Sequence, residues 1–256
     1  MSLTDWRLGF VHRSFVGLAN YIDIVRVPQA RRALMNTLGL TATTVIGGSL
    51  TGLGMALALE SVSWGNRFFK LAITAPILAT AAAMALIWRL LFDTYFGDIN
   101  ALLAIVGIGR VDWLYNIASA RIAVAMVELW RSTGYALLLF TAGLSAIPKD
   151  VREAARVDGA DGLRQFSHIT WPLLAPTSLF ILIVLTARSF QSFDVVRVLT
   201  DGGPQQSTKL LAHMLFEEAF VFFNTGFASS LAVFMSLIAL SVGLLQFRID
   251  KKVYYR

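Results

Sequence analysis

Apolar residues gather along this chain into five blocks, each long enough to cross a lipid bilayer and each set off by polar stretches. The blocks run Ala33–Leu59, Phe68–Phe92, Ile117–Ile147, Leu173–Leu199 and Gly226–Phe247. About 20 apolar residues rising about 1.5 Å each cross a hydrocarbon core of about 30 Å, so every block predicts a membrane-spanning helix. Helix is the form these blocks admit, because in lipid the backbone must satisfy its own hydrogen bonds. In the first block Gly47, Gly48, Gly52 and Gly54 predict a small-residue face. Gly48 and Gly52 have the Gly-x-x-x-Gly spacing that lets a neighbouring backbone approach. Pro76 predicts a kink in the second block.

Composition agrees with this pattern. Of 256 residues 56% are hydrophobic and the mean hydropathy is +0.65, more apolar surface than a soluble domain of this length buries. The fold class is therefore all-α, a polytopic helical membrane protein. There are no cysteines, which removes disulfides and thiolate metal sites. His12, His168 and His213 lie far apart without metal-ligand spacing, and no metal site is assigned. No phosphate-cradling Gly-x-x-x-x-Gly-Lys-Ser/Thr loop, nucleophile elbow or dinucleotide turn occurs. The chain is thus assigned no catalytic residue and no cofactor of its own. The net charge of +6 reads as Lys and Arg beside lipid head groups rather than as a nucleic-acid surface.

The longest informative polar stretch is 148–172, between the third and fourth blocks. Pro148 suits a first helical position, and Asp150 and Glu153 follow where the helix dipole favours acids. Alternating charge over 149–158 predicts a helix facing water or protein. Ala154 and Ala155 are small enough to enter a partner's groove, and Asp158-Gly159 breaks the helix. A second short helix through Leu163 and Phe166 then leads to Pro172, which opens the next span. If this loop is cytoplasmic, the inside carries Arg67, Lys70, Lys149, Arg152, Arg156, Arg164, Arg248, Lys251, Lys252 and Arg256. The two later outside loops carry only Arg110 and Lys209, as the positive-inside rule requires. Arg7, Arg13, Arg26, Arg31 and Arg32 then fall outside, against that rule.

Glu153-Ala154-Ala155, Gly159, Ile169 and Pro172 resemble the coupling motif of ABC importer permeases, with Trp171 where that motif has leucine. Beyond the fourth block, Phe193-Asp194, Thr200-Asp201-Gly202-Gly203-Pro204, Ser207-Thr208, Ala219-Phe220, Gly226 and Ala228-Ser229 continue the resemblance to carbohydrate-type permeases. The tail, Gln246-Phe247-Arg248 with Val253-Tyr254-Tyr255, resembles the first permease of glycerol-3-phosphate and disaccharide importers. The resemblance implies the ABC importer permease fold and a non-catalytic subunit that translocates a sugar, sugar-like or polyol-phosphate solute. It implies a second permease, an ATPase dimer that holds the ATP and Mg, and an external solute-binding protein. It places the chain in a bacterial inner membrane as a multi-pass protein, with the coupling loop and C-terminus cytoplasmic. Glu153, Ala154, Ala155, Asp158 and Gly159 become the residues that meet the ATPase. Permeases of this type usually carry a sixth, N-terminal span. Ser2–Trp6 resembles its outer end and Phe15–Tyr21 the segment that follows it. Residues 1–32 are then expected to be an external segment after a missing first span, and 33–256 the permease domain. The Gly202-Gly203-Pro204 loop and the N-terminal segment are the expected contacts of the binding protein.

Charges inside spans mark cavities or pairs. Glu128 and Arg131 share a helical face, as do Asp194 and Arg197. Both pairs also read as local ion pairs within the bundle. Arg188 has no acid three or four positions away and needs a partner from another helix, water or solute. Trp130, Arg131, Ser132, Thr133, Arg188, Gln191, Ser192, Phe193 and Asp194 supply the donors, acceptors and flat apolar faces that a polar or anionic sugar-like solute requires. The same residue types also serve as packing residues. A secondary transporter and a non-transporting membrane scaffold are the rival readings. The first would need repeated halves, and none is visible.

Overall fold

The computed structural model describes residues 1–61, 68–69, 74 and 79–254. Helix α1 (Ala19–Arg26) precedes α2 (Pro28–Ala42), which starts on a proline. At that position the missing N–H is not needed, and the first long helix therefore begins at Pro28 rather than Ala33. A π-turn (Thr43–Gly47) carries it into α3 (Gly48–Ser61). The later helices are α4 (Ala81–Leu91), α5 (Asp98–Ile105), α6 (Ile117–Ala146), α7 (Lys149–Val157), α8 (Gly162–Gln165), α9 (Trp171–Phe190), α10 (Asp194–Leu199), α11 (Leu211–Phe216) and α12 (Thr225–Tyr254). No strand occurs among the described residues. Four described helices are long and apolar enough to cross a membrane: Pro28–Glu60, Ile117–Ala146, Gly162–Phe190 and Thr225–Arg248. Of the predicted Phe68–Phe92 span, α4 forms the later part. The kink at Pro76 lies outside the described residues, as do Arg67 and Lys70.

Other expected boundaries move as well. The helix of the fourth apolar block stops at Phe190, not Leu199. There the amides of Gln191 and Ser192 turn back onto the carbonyls of Arg188 and Ser189, and the Ser192 hydroxyl is held by Glu128. The chain therefore restarts as α10. At its other end this helix begins before Pro172. A π-turn, Phe166–Thr170, joins α8 to α9 without a break. A wider turn accommodates a residue that lacks an N–H, so Pro172 sits inside the helix and the second short helix is its first turn. Pro148 likewise precedes α7 rather than starting it.

The chain forms two compact units. The first comprises Met1–Thr43, Ala79–Glu128 and Ala187–Ser241, and the second Thr44–Leu78, Leu129–Thr186 and Val242–Arg256. One core of the first unit is built on Leu40, Phe92, Val127, Val196 and Leu210, and another on Ile24, Ala33, Leu211, Phe227 and Leu231. The N-terminal segment is tied to the start of α12: Gly226 N–H donates to Trp6 O (2.8 Å) and Leu8 N–H to Phe223 O (2.9 Å). Any Cβ at Gly226 would collide with Thr4 O.

The second unit is organised by the small-residue face. A Cβ at Gly48 would stand 2.7 Å from Ser132 Cβ, and one at Gly52 would run into Ala136 Cβ and the Leu137 amide. Backbone contact between α3 and α6 is what the glycines permit. Thr51 and Thr133 join hydroxyls across that seam at 2.6 Å. Gly54 has open space around it and takes no part in this contact. Phe140, Leu144, Leu174, Ile181 and Leu185 fill the rest of this core.

Candidate functional site

In the second unit, α7 carries the polar stretch. Its end is closed as the sequence pattern requires: Gly159 has φ +77°, and Ala160 N–H donates to Ala155 O (2.9 Å), the two marks of a left-handed helix cap. The structure parts the alanine pair, since Ala155 is buried against its own chain while Ala154 is exposed. Glu153, Asp158 and Gly159 are exposed. Arg152 forms an ion pair with Glu60 at the end of α3 and donates to Ile147 O (3.4 Å). Gln165 Nε2 donates to Arg152 O (3.2 Å). These bonds make α7 and α8 one body seated on a polar cleft of about 610 Å³, whose lining includes Glu60, Lys149, Arg152, Glu153 and Gln165. Two apolar side chains stand out from that body: Val157 is 88% exposed and Leu163 86%. In water such exposure is unproductive; against a partner it supplies contact area.

In the first unit, the stretch after α9 is locked by its own polar groups. Asp201 accepts from Arg197 and from Nε2–H of His213, the latter at 3.2 Å. His213 is wholly buried and stacks on Phe193, and its Nδ1 lies 4.0 Å from Glu217 Oε1. Lys209 Nζ donates to Glu217 (2.6 Å). Thr208 Oγ1 meets Thr200 Oγ1 (2.7 Å) and donates to Gly203 O (2.8 Å). Asp201, Gly202, Gln205 and Gln206 all have positive φ, and this network holds them there. Arg197 thus pairs with Asp201, one turn onward, and not with Asp194.

The candidate solute residues divide between the units. Trp130, Arg131 and Thr133 belong to the second. Thr133 is buried and bonded to Thr51. Arg188, Gln191, Ser192, Phe193 and Asp194 belong to the first. Ser192 is buried on Glu128, Phe193 lies against His213 and Phe216, and Gln191 and Asp194 are exposed. Trp130, Arg131 and Arg188 each have a contact of their own. No group of three metal-ligating side chains occurs among the described residues.

Residues 48–255 match the family model described as binding-protein-dependent transport system inner membrane component. The chain belongs to that family. Its members are non-catalytic permease subunits of ABC transporters, multi-pass in the membrane, and ATP hydrolysis resides on a separate subunit. The sn-glycerol-3-phosphate transport system permease protein UgpA of Agrobacterium fabrum is 32% identical over 94% of this chain and 83% of its own length. The probable ABC transporter permease protein YurN of Bacillus subtilis is 29% identical over 98% of this chain and 87% of its own length. A bacterial ABC transporter that imports the acidic polysaccharide alginate contains a chain of the same fold. That chain has a TM-score of 0.83 at 20% identity, and the match covers 93% of this chain and 85% of it.

Several residues that shape these sites are not singled out by the sequence pattern. Glu60 is an acid at the end of an apolar run, where a cationic partner from the next polar loop is a natural search. His213 draws attention only as a metal ligand, yet a lone histidine in an apolar hexamer also marks a buried hydrogen-bonding post. Asn100 is buried and bonds Thr94 O, Val111 O, Val111 N–H and Trp113 Nε1–H. It carries no motif at all.

Proposed function

We propose that this chain is the membrane-crossing subunit of an importer for a sugar-like or polyol-phosphate solute, with residues 148–172 cytoplasmic and seated in the ATPase. The observation that carries the coupling role is the α7–α8 body. It is braced to α3 through Arg152 and Glu60 and presents Ala154, Val157 and Leu163 outward. A braced knob transmits force to the helices at its two ends, α6 and α9, where a slack loop would absorb it. In this reading Glu153 and Asp158 hold the charged flank to the ATPase, Ala154 sits in its groove, Ala155 packs the knob and Gly159 turns it. Solute reaches the chain from an external binding protein, a second permease completes the pathway, and the C-terminus is cytoplasmic. The polyol-phosphate class is supported by the relatives' transport of sn-glycerol 3-phosphate and by arginines placed in long apolar helices. Arg131 and Arg188 are the candidates for the anionic group. Trp130, Thr133, Gln191, Ser192, Phe193 and Asp194 are candidates for the polyol.

The test is reconstitution with the cognate ATPase, second permease and binding protein. Glu153→Ala and Gly159→Val are expected to lower solute-stimulated ATP hydrolysis by about tenfold or more, a loss of about 1.4 kcal/mol of coupling. Wild-type assembly and wild-type stimulated hydrolysis in both variants would overturn the coupling role.

A further inference from the structure

We infer that the cavity of about 510 Å³ between α2, the start of α6 and residues 207–210 is a second solute site, for a small polyhydroxylated molecule bearing a negative group. The inference rests on the importer reading and concerns residues which that reading leaves unused. All of the lining lies in the first unit. Arg121 Nε donates to Ser207 O (3.0 Å), which fixes the guanidinium plane at the cavity. Its two Nη groups make no hydrogen bond among the described residues. Asn36 spends its amide N–H groups on Gln206 O (3.3 Å) and Lys209 O (3.0 Å), which leaves Oδ1 as an acceptor held in one orientation. Leu40 and Val124 supply an apolar wall, and no carboxylate lines the cavity.

Each group has a counterpart in such a solute. A guanidinium with both Nη groups open takes a phosphate or carboxylate through paired hydrogen bonds. Asn36 Oδ1 accepts from a solute hydroxyl, a polar contact held in place by the two bonds its amide already makes. The apolar wall receives the C–H face of a polyol. The volume falls within the range of about 300–1,000 Å³ that small-molecule sites occupy. Cationic solutes find no counter-charge here.

A lipid phosphate offers the same anionic chemistry, and the experiment separates the two sources. The complete importer, held in nanodiscs of uncharged phosphatidylcholine, is titrated calorimetrically with sn-glycerol 3-phosphate. Inorganic phosphate and glycerol serve as the two halves of the probe. Wild type is expected to bind the probe. Arg121→Ala should weaken binding about tenfold or more, with Arg121→Lys intermediate because charge without the fork is retained. Asn36→Ala should weaken the probe and glycerol but not phosphate. Absence of binding to wild type overturns the site, as does equal affinity in all variants. Loss of the second permease from the Arg121 variants, or displacement of the probe by added phosphatidylglycerol with no variant effect on the solute, assigns the cavity to a subunit or lipid contact and also overturns it. If Glu153→Ala uncouples hydrolysis while Arg121→Ala leaves binding intact, this site falls and the importer reading stands. If the wild-type chain assembles with no ATPase, it is the importer reading that falls.

Discussion

Two of the polar excursions from the long helices treat their polar groups in opposite ways. The stretch at 191–217 spends its charged side chains mostly on one another: Arg197, Asp201, His213, Glu217 and Lys209 form one connected set, and Thr200 and Thr208 bond each other. Among the described side chains of the stretch at 148–172, the ion pair is Arg152 with Glu60. This stretch leaves Glu153 and Asp158 exposed and turns Val157 and Leu163 outward. A segment that satisfies itself serves to hold a shape. A segment that is braced at one point and left unsatisfied elsewhere is built to be completed by something else. The contrast predicts that damage to the first stretch appears as lost stability, and damage to the second as lost partnership.

The largest effect falls on the self-contained stretch. His213→Ala removes a wholly buried ring and the bond to Asp201, at a cost of about 2–4 kcal/mol. A lowered thermal midpoint of the purified importer measures it. An unchanged midpoint would mean that the connected set is ornamental. Next in size, Val157→Ser with Leu163→Ser is expected to leave the midpoint alone, since exposed changes stay within about 0.5 kcal/mol. Affinity for the ATPase should nevertheless fall about tenfold or more, as for anchors at an interface centre. If stability rather than affinity changed, the distinction between the two stretches would be lost.

A finer cut lies within the braced stretch. Glu60 and Arg152 are both partly exposed, so solvent screens their pair and a double-mutant cycle with Glu60→Gln and Arg152→Gln should give a coupling of about 0.2–1 kcal/mol. The same pair should matter more in stimulated ATP hydrolysis than in unfolding, because the brace acts when α7 is pushed. Equal coupling in both measurements would make it an ordinary surface contact.

Local rules made the helices legible. The third apolar block, Ile117–Ile147, is matched by α6 to within its last residue, because a long, mostly apolar run without proline leaves the backbone in lipid no competing option. The cap at Gly159 could be read because glycine adopts a positive φ without steric cost. Breaks and joins were not legible, since they depend on distant partners. The stop at Phe190 involves Glu128, far back in the chain, holding Ser192, and the continuity through Pro172 depends on a π-turn that no single residue announces. The candidate solute residues are half legible for the same reason. Residue type shows that Ser192 and Thr133 can bond a sugar, but only the fold shows that Glu128 and Thr51 already bond them.

The smallest expected effect concerns an acid that directly follows the self-contained stretch. Burial pushes the Glu218 carboxyl above the usual range, and the neighbouring charge of Glu217 adds to the shift. The hydrogen bond from Asn224 and the charges of Lys209 and Arg7 oppose it. A carboxyl whose pKa is raised on folding favours the folded state in its protonated form, so its penalty is absent below the unfolded pKa and grows as pH rises through the folded one. Glu218→Gln keeps an acceptor for Asn224 and carries no charge. The variant should therefore melt above wild type at about pH 8, with the gap closing toward about pH 4, where the wild-type carboxyl is protonated in both states. Asp93 supplies the opposite sign. The amides of Phe96 and Tyr95 hold its carboxyl below the usual range, so Asp93→Asn should lower the midpoint at neutral pH and lose its effect as pH falls through the depressed value. Two acids on polar connections with opposite slopes can be read in one pH series of thermal midpoints. Parallel slopes would show that the Glu218 environment is wetter than its burial implies.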